Sequence, residues 1–166
     1  DSDGGGLMEL FPVEGPWSGR LAVCLRPRSG WFLDDDVQSL RANGYDTLVT
    51  AITHDEIRKL DLTALPEACA RAGVTFHHFP VGNLQVPPLE IALPVLGAWN
   101  QHLADGGGLA LHCWASVGRS PTLTAALLVL GGVPADDAWE RIRLSRGCAV
   151  PDTREQREWV AGLARL

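Results

Sequence analysis

Short apolar runs rich in β-branched residues alternate along the chain with longer stretches of helical period. Leu21–Leu25, Thr47–Thr50, Val74–Phe79 and Leu109–His112 read as strands. Between and after them lie helical patterns over Asp34–Ala42, Leu62–Ala72, Leu89–Ala104, Ser120–Leu130, Ala135–Ser145 and Thr153–Ala164. Turn chemistry agrees with these bounds: Asn43-Gly44 and Gly73 close two helices, and Val81–Pro88 is a loop by its Gly, Asn and Pro. Asp34–Asp36 invite a metal reading, yet three acids at a helix start are better explained by the helix dipole. Strands that alternate with helices predict an α/β fold, a mostly parallel central sheet flanked by helices on both faces. Residues 1–15 read as a mobile N-terminal tail, and residues 16–166 as one domain. In such sheets ligand chemistry sits at the carboxyl ends of the strands.

Composition narrows the partners. The chain has 166 residues with 46% apolar and 20% charged positions, an ordinary globular balance. Its formal charge of −6 disfavours nucleic acid and anionic membranes, so any anion site has to be built locally. All 14 basic residues but Lys59 are arginine, which argues against lysine-based chemistry. Cys24, Cys69, Cys113 and Cys148 are too widely spaced for a zinc site and read as reduced thiols. The acidic, Gly-rich start is not a signal peptide, and the longest apolar run is too short for a membrane span. These features predict a cytoplasmic location and no zinc site; a monomer is the working expectation.

One strand end carries chemistry: His112-Cys113-Trp114-Ala115-Ser116-Val117-Gly118-Arg119-Ser120-Pro121. A thiol stands where the strand stops, and an arginine stands at the mouth of the next helix. The N–H groups of Trp114, Ala115, Ser116, Val117 and Gly118, with the helix's first turn, suit an anion, and the same field favours thiolate over thiol at Cys113. Arg119 offers a planar fork for two oxygens of one phosphate. Gly118 is expected to supply backbone angles barred to other residues. Ser120 can donate its hydroxyl to the sulfur, and Pro121 fits a first helical turn. The remaining cysteines lack this context and read as packing residues.

This segment resembles the His-Cys-x5-Arg-Ser signature of the cysteine-dependent, dual-specificity-type protein phosphatases of the tyrosine phosphatase superfamily. From about Gly19 to Trp159 the layout is similar to the kinase-associated phosphatase (cyclin-dependent kinase inhibitor 3) branch. Thr50–Glu56 sits where that branch leaves its second strand for a loop with a Glu. Thr75–Val81 matches the strand that enters its general-acid loop, and Thr153-x-x-Gln156-x-x-Trp159 its Thr-x-x-Gln-x-x-aromatic segment. The resemblance implies hydrolysis of phosphotyrosine, with phosphoserine and phosphothreonine as the wider range, in a phosphorylated protein, a peptide or a small aryl phosphate. The resemblance further implies that Cys113 is the nucleophile, forming a phosphocysteine, and Arg119 the phosphate ligand, with Ser120 helping sulfur leave, His112 orienting the loop, Gln156 placing water, and no metal or organic cofactor.

One position departs from the family. Its general-acid Asp stands about 30 residues before the Cys, where this chain has Asn83. An amide cannot give a proton, and losing that help typically costs about 10²–10⁴-fold. Asp152 is the first candidate replacement, with Glu56 and Asp55 next. Alternatively the substrates carry good leaving groups, or the site is weakened and holds phosphorylated ligands as a binding module. Thiol redox chemistry also uses Cys-x5-Arg loops but needs a resolving thiol near Cys113. His77-His78 reads as a packed or hydrogen-bonded pair, and Trp114 as a rim residue. Arg26 and Arg28, flanking Pro27, read equally as a basic rim for a phosphopeptide or as a solvated loop.

Overall fold

The computed structural model describes residues 8–166 of the chain. Five strands, β1 (Leu10–Val13), β2 (Arg20–Cys24), β3 (Thr47–Thr50), β4 (Thr75–His78) and β5 (Gly108–His112), form one sheet in the order β1-β2-β5-β3-β4. β2, β5, β3 and β4 run parallel, and β1 lies antiparallel along the outer edge of β2. Parallel neighbours cannot be joined by tight hairpins, so helices make the crossovers. Every residue of β5 is buried, as expected of a central strand covered on both faces.

The helices are α1 (Leu33–Ala42), α2 (His54–Lys59), α3 (Leu65–Ala72), α4 (Leu89–Ala104), α5 (Arg119–Leu130), α6 (Ala135–Arg146) and α7 (Arg154–Leu163). α1 packs with α3, while α5 rests on β2 and β5 and is contacted by α4, α6 and α7. α5 is buried from Arg119 through Val129, which explains why its sequence is apolar all round instead of on one stripe. No described helix is long and apolar enough to cross a membrane.

The α/β fold with a mostly parallel sheet matches the expectation. Two expectations fail. Leu10–Val13, assigned to a tail, are the edge strand β1, and the Glu9 carbonyl accepts from the Leu25 N–H. Four residues with a proline carry too little pattern to show a strand whose partner lies ten residues downstream; Pro12 is tolerated because the strand is an edge. The first seven residues of that tail lie outside the described residues. Second, His54–Lys59, read as loop, is α2. Its signal is a capping box: Thr53 Oγ1 accepts from the Glu56 N–H while the Glu56 carboxylate accepts from the Thr53 N–H.

Candidate active site

β5 ends at His112 in the middle of the sheet, and α5 begins at Arg119, so residues 113–118 bridge two fully buried elements. Three carbonyls of this bridge turn away from its concave side and are gripped by arginines. Arg26 Nη1 donates to the Trp114 carbonyl at 2.7 Å, Arg146 Nη2 to that of Ala115 at 3.3 Å, and Arg146 Nε to that of Ser116 at 2.9 Å. Among the described residues, none of the N–H groups of Trp114–Gly118 has a protein acceptor. The loop is therefore a nest of donors whose Trp114, Ala115 and Ser116 carbonyls are already engaged.

Ser116 holds this curvature. Its φ is 59°, a left-handed angle uncommon outside glycine. Its hydroxyl donates to the Cys24 carbonyl at 2.6 Å and accepts from the Cys113 N–H at 3.4 Å. The expectation for Gly118 is corrected here: its φ is −118°, open to any residue. What glycine provides there is room: a Cβ would meet the Asp152 carboxylate and push that side chain off the loop.

The Cys113 sulfur lies at the floor, 3% exposed. It faces the Ser120 hydroxyl at 3.3 Å and the Ser120 N–H at 3.5 Å. Behind the loop, His112 is fully buried, its Nδ1 3.0 Å from the Cys113 carbonyl and its Nε2 2.8 Å from Thr50 Oγ1. Burial lowers its pKa to about 4, so the ring is neutral near pH 7. A carbonyl can only accept; Nδ1 must then carry the proton, and Nε2 accepts from Thr50. Cys24 is buried at the end of β2, where burial first and then the Cys113 charge push its thiol strongly upward. A thiol so hard to ionise is a poor resolving nucleophile, which weighs against thiol redox chemistry.

Arg119 is held by Glu56, one of the two further carboxylates the sequence offers as a replacement acid. Its Nη1 donates to Glu56 Oε1 at 2.6 Å and to the Val81 carbonyl at 2.7 Å, and its Nη2 to Glu56 Oε2 at 2.8 Å. Three of five guanidinium donors are thus used, leaving the Nε–H and one Nη2–H for the cleft. The bonded guanidinium holds Glu56 at about 2, so it stays ionised and cannot act as the proton donor considered for it. Asp55 fails likewise: its bonds to Arg58 and Lys59 lower its pKa, and it does not line the cleft.

Over the loop opens a cleft of about 470 Å³. Cys113, Trp114, Ala115, Val117, Gly118 and Arg119 form its base, and Asn83 and Asp152 stand on its wall with Thr53, Glu56 and Lys59. The structure therefore brings together Asn83 and Asp152, 69 positions apart in sequence. Lys59 and Thr53 also line the cleft: the Thr53-x-x-Glu56 spacing signals only a helix cap, and no local pattern marks Lys59 as a cleft residue. Gln156 is corrected: it is fully buried and absent from the cleft lining. Its Oε1 accepts from the N–H groups of Asp152 and Thr153 at 3.1 and 3.2 Å, and its Nε2 donates to the Gln85 carbonyl at 3.3 Å. It caps α7, holds the Asp152 backbone and ties α7 to the Asn83 loop; it does not face water at the sulfur.

Other readings resolve simply. Asp34 pairs with Arg71, and buried Asp36 with Arg28. His77 Nδ1 accepts from Trp99 Nε1 at 3.0 Å, and His78 Nε2 donates to the Ile52 carbonyl at 2.7 Å, as expected of a hydrogen-bonded pair.

Comparison with known proteins gives consistent findings. A family model described as "Polymorphic toxin system, DSP-PTPase phosphatase" matches residues 25–133. Cyclin-dependent kinase inhibitor 3 of Rattus norvegicus is 21% identical over 130 residues, covering 77% of this chain and 61% of the relative. Protein tyrosine phosphatase type IVA 3 of Bos taurus is 26% identical over 107 residues, covering 58% and 62%. The chain thus spans about three-fifths of the length of these curated relatives. Among solved structures, kinase associated phosphatase with its catalytic-site cysteine substituted by serine superposes with a TM-score of 0.86 at 18% identity, covering 97% of this chain and 98% of that one. Tk-PTP in the active form gives 0.73 at 25% identity, covering 89% and 92%.

Proposed function

Because the chain belongs to the DSP-PTPase phosphatase family of polymorphic toxin systems, we propose that it hydrolyses phosphotyrosine, and more widely phosphoserine and phosphothreonine, in a phosphorylated protein or peptide. The observation that carries this reading is the unspent donor set. The loop N–H groups of Trp114, Ala115, Val117 and Gly118 have no protein acceptor among the described residues, and these residues line, with Arg119 and its two unspent guanidinium N–H groups, a cleft whose floor is Cys113. Such fixed donors suit the equatorial oxygens of a phosphoryl group in transfer.

In this proposal the Cys113 thiolate attacks phosphorus and the ester oxygen departs, taking a proton from Asp152. The resulting phosphocysteine is opened by water, which gives a proton back to Asp152 as the sulfur leaves. The Ser120 hydroxyl, 3.3 Å from that sulfur, stabilises it as the leaving group. His112 keeps the loop in place, and no cofactor enters any step. Asp152 is preferred over Asn83 because it is a carboxylate on the cleft wall against Gly118, with its backbone fixed by Gln156.

Rates on p-nitrophenyl phosphate and on a phosphothreonine peptide test both parts. Cys113→Ser should abolish both activities. Asp152→Asn should reduce the peptide rate by about 10²–10⁴-fold and the p-nitrophenyl rate much less, because nitrophenolate needs little protonation to leave. Hydrolysis by Cys113→Ser at the wild-type rate would overturn the nucleophile assignment. The exposed amide of Asn83 on the cleft wall favours a second reading, a phospho-ligand binding module. That reading requires very slow turnover in the wild type, a large rise with Asn83→Asp, and no effect of Asp152→Asn.

A further inference from the structure

A second concavity of about 470 Å³ adjoins the cleft over Cys113–Arg119, the phosphate cradle, on the side of the β2–α1 connection. The two share Trp114 and Ala115 as a common wall, so the groove lies within reach of a residue next to one whose phosphate enters the cradle. Leu25, Pro27, Leu60 and the Trp114 indole give it apolar sides, and Arg26 and Arg28 bring positive charge.

The two arginines are not equivalent. Arg28 is committed: its Nη2 and Nε donate to Asp36 at 2.7 and 3.1 Å, and its guanidinium covers the Phe32 ring. Arg26 is not. Its Nη1 is fixed on the Trp114 carbonyl and its guanidinium lies 5.3 Å from the centre of the Trp114 ring. Among the described residues no carboxylate lies within ion-pair reach of it. Its Nε and second amino group have no protein acceptor among the described residues. A half-buried guanidinium, oriented by one hydrogen bond and one aromatic face, is a pre-organised anion ligand beside an apolar wall.

The geometry points to a subsite that takes an anionic side chain adjacent to the phosphorylated residue of the substrate, with Arg26 as its specificity-determining ligand. The apolar sides accept the methylene stem, and Arg26 meets the charged end. A glutamate and a phosphoserine share this chemistry, and the test separates them. The inference rests on the phosphatase reading of the cradle.

Four phosphotyrosyl peptides, identical except for Ala, Gln, Glu or phosphoserine beside the phosphotyrosine, are compared by kcat/KM, with the variable residue first before and then after it. In the wild type Glu should exceed its neutral isostere Gln by about fivefold on one side, the effect of a single charge-assisted contact of about 1 kcal/mol. A still larger rate with phosphoserine assigns the subsite to a second phosphate, and a lower one assigns it to carboxylates. In Arg26→Gln the Glu-to-Gln ratio should fall to about one; being a ratio within one variant, it is insensitive to any general loss of turnover. A wild-type ratio of one on both sides, or one that survives in Arg26→Gln, overturns the subsite. The same peptides titrated onto Cys113→Ser separate the two levels. Equal binding of all four removes the subsite alone, whereas no binding of any, with no wild-type hydrolysis, removes the cradle reading and the subsite with it.

Discussion

Glu56 and His112 set how the site answers to pH. His112 is buried and neutral, with its pKa lowered from 6.5 to about 4. The unfolded chain binds a proton there below about pH 6.5 and the folded chain does not, so stability is present above 6.5 and is lost as pH falls toward 4. At roughly 1.4 kcal/mol per pKa unit the loss is about 3 kcal/mol. Glu56 acts lower. Its carboxylate, held at about 2 by Arg119, contributes stability that is lost from about pH 4.5 down to 2. The free energy of urea unfolding should therefore decline in two windows, and His112→Asn should shrink the upper decline, to which His77 also contributes because burial lowers its pKa, while leaving the decline below pH 4.5. Cys113 and Arg119 were legible from their spacing alone. The partner of Arg119 was not, because Glu56 lies 63 positions away and is matched to it only once the β3–α2 connection folds over the loop.

Two short helices deliver the cleft wall, and each begins with a capping box. Thr53 and Glu56 start α2, Thr153 and Gln156 start α7, and each fourth residue also reaches beyond its own helix, to Arg119 or to Gln85. Capping thereby fixes where the chain enters each helix, and in α7 this places Asp152 one residue before the cap. Thr153→Ala should cost about 1 kcal/mol of stability by removing the acceptor of the Gln156 N–H. It should also lower the rate on a phosphothreonine peptide more than on p-nitrophenyl phosphate, because Asp152 loses its fixed position. Equal losses on the two substrates would separate the cap from the acid. α4, at Leu89–Ala104, was readable to the residue from its pattern and from the glycines that follow it. α2 has too few residues for any periodicity to show, and only its cap announces it.

For the molecule as a whole, the cradle is anchored by a core that leaves β5 no exposed residue. Leu111 is fully buried, paired in register with Val23 on one side and Val49 on the other. Leu111→Ala should destabilise the fold by about 2–5 kcal/mol, read as a drop in unfolding free energy in urea. Elements of helical or strand period, the cysteine at a strand end and the arginine at a helix mouth were all fixed by local order along the chain, because periodicity and cap chemistry act over a few residues. Three features required the folded chain: the pairing of β1 with β2, the bidentate contact of Glu56 with Arg119, and the convergence of Asn83 and Asp152 on one cleft. Each joins segments through the sheet order β1-β2-β5-β3-β4, and that order depends on which faces bury together, information that no window of neighbouring residues contains.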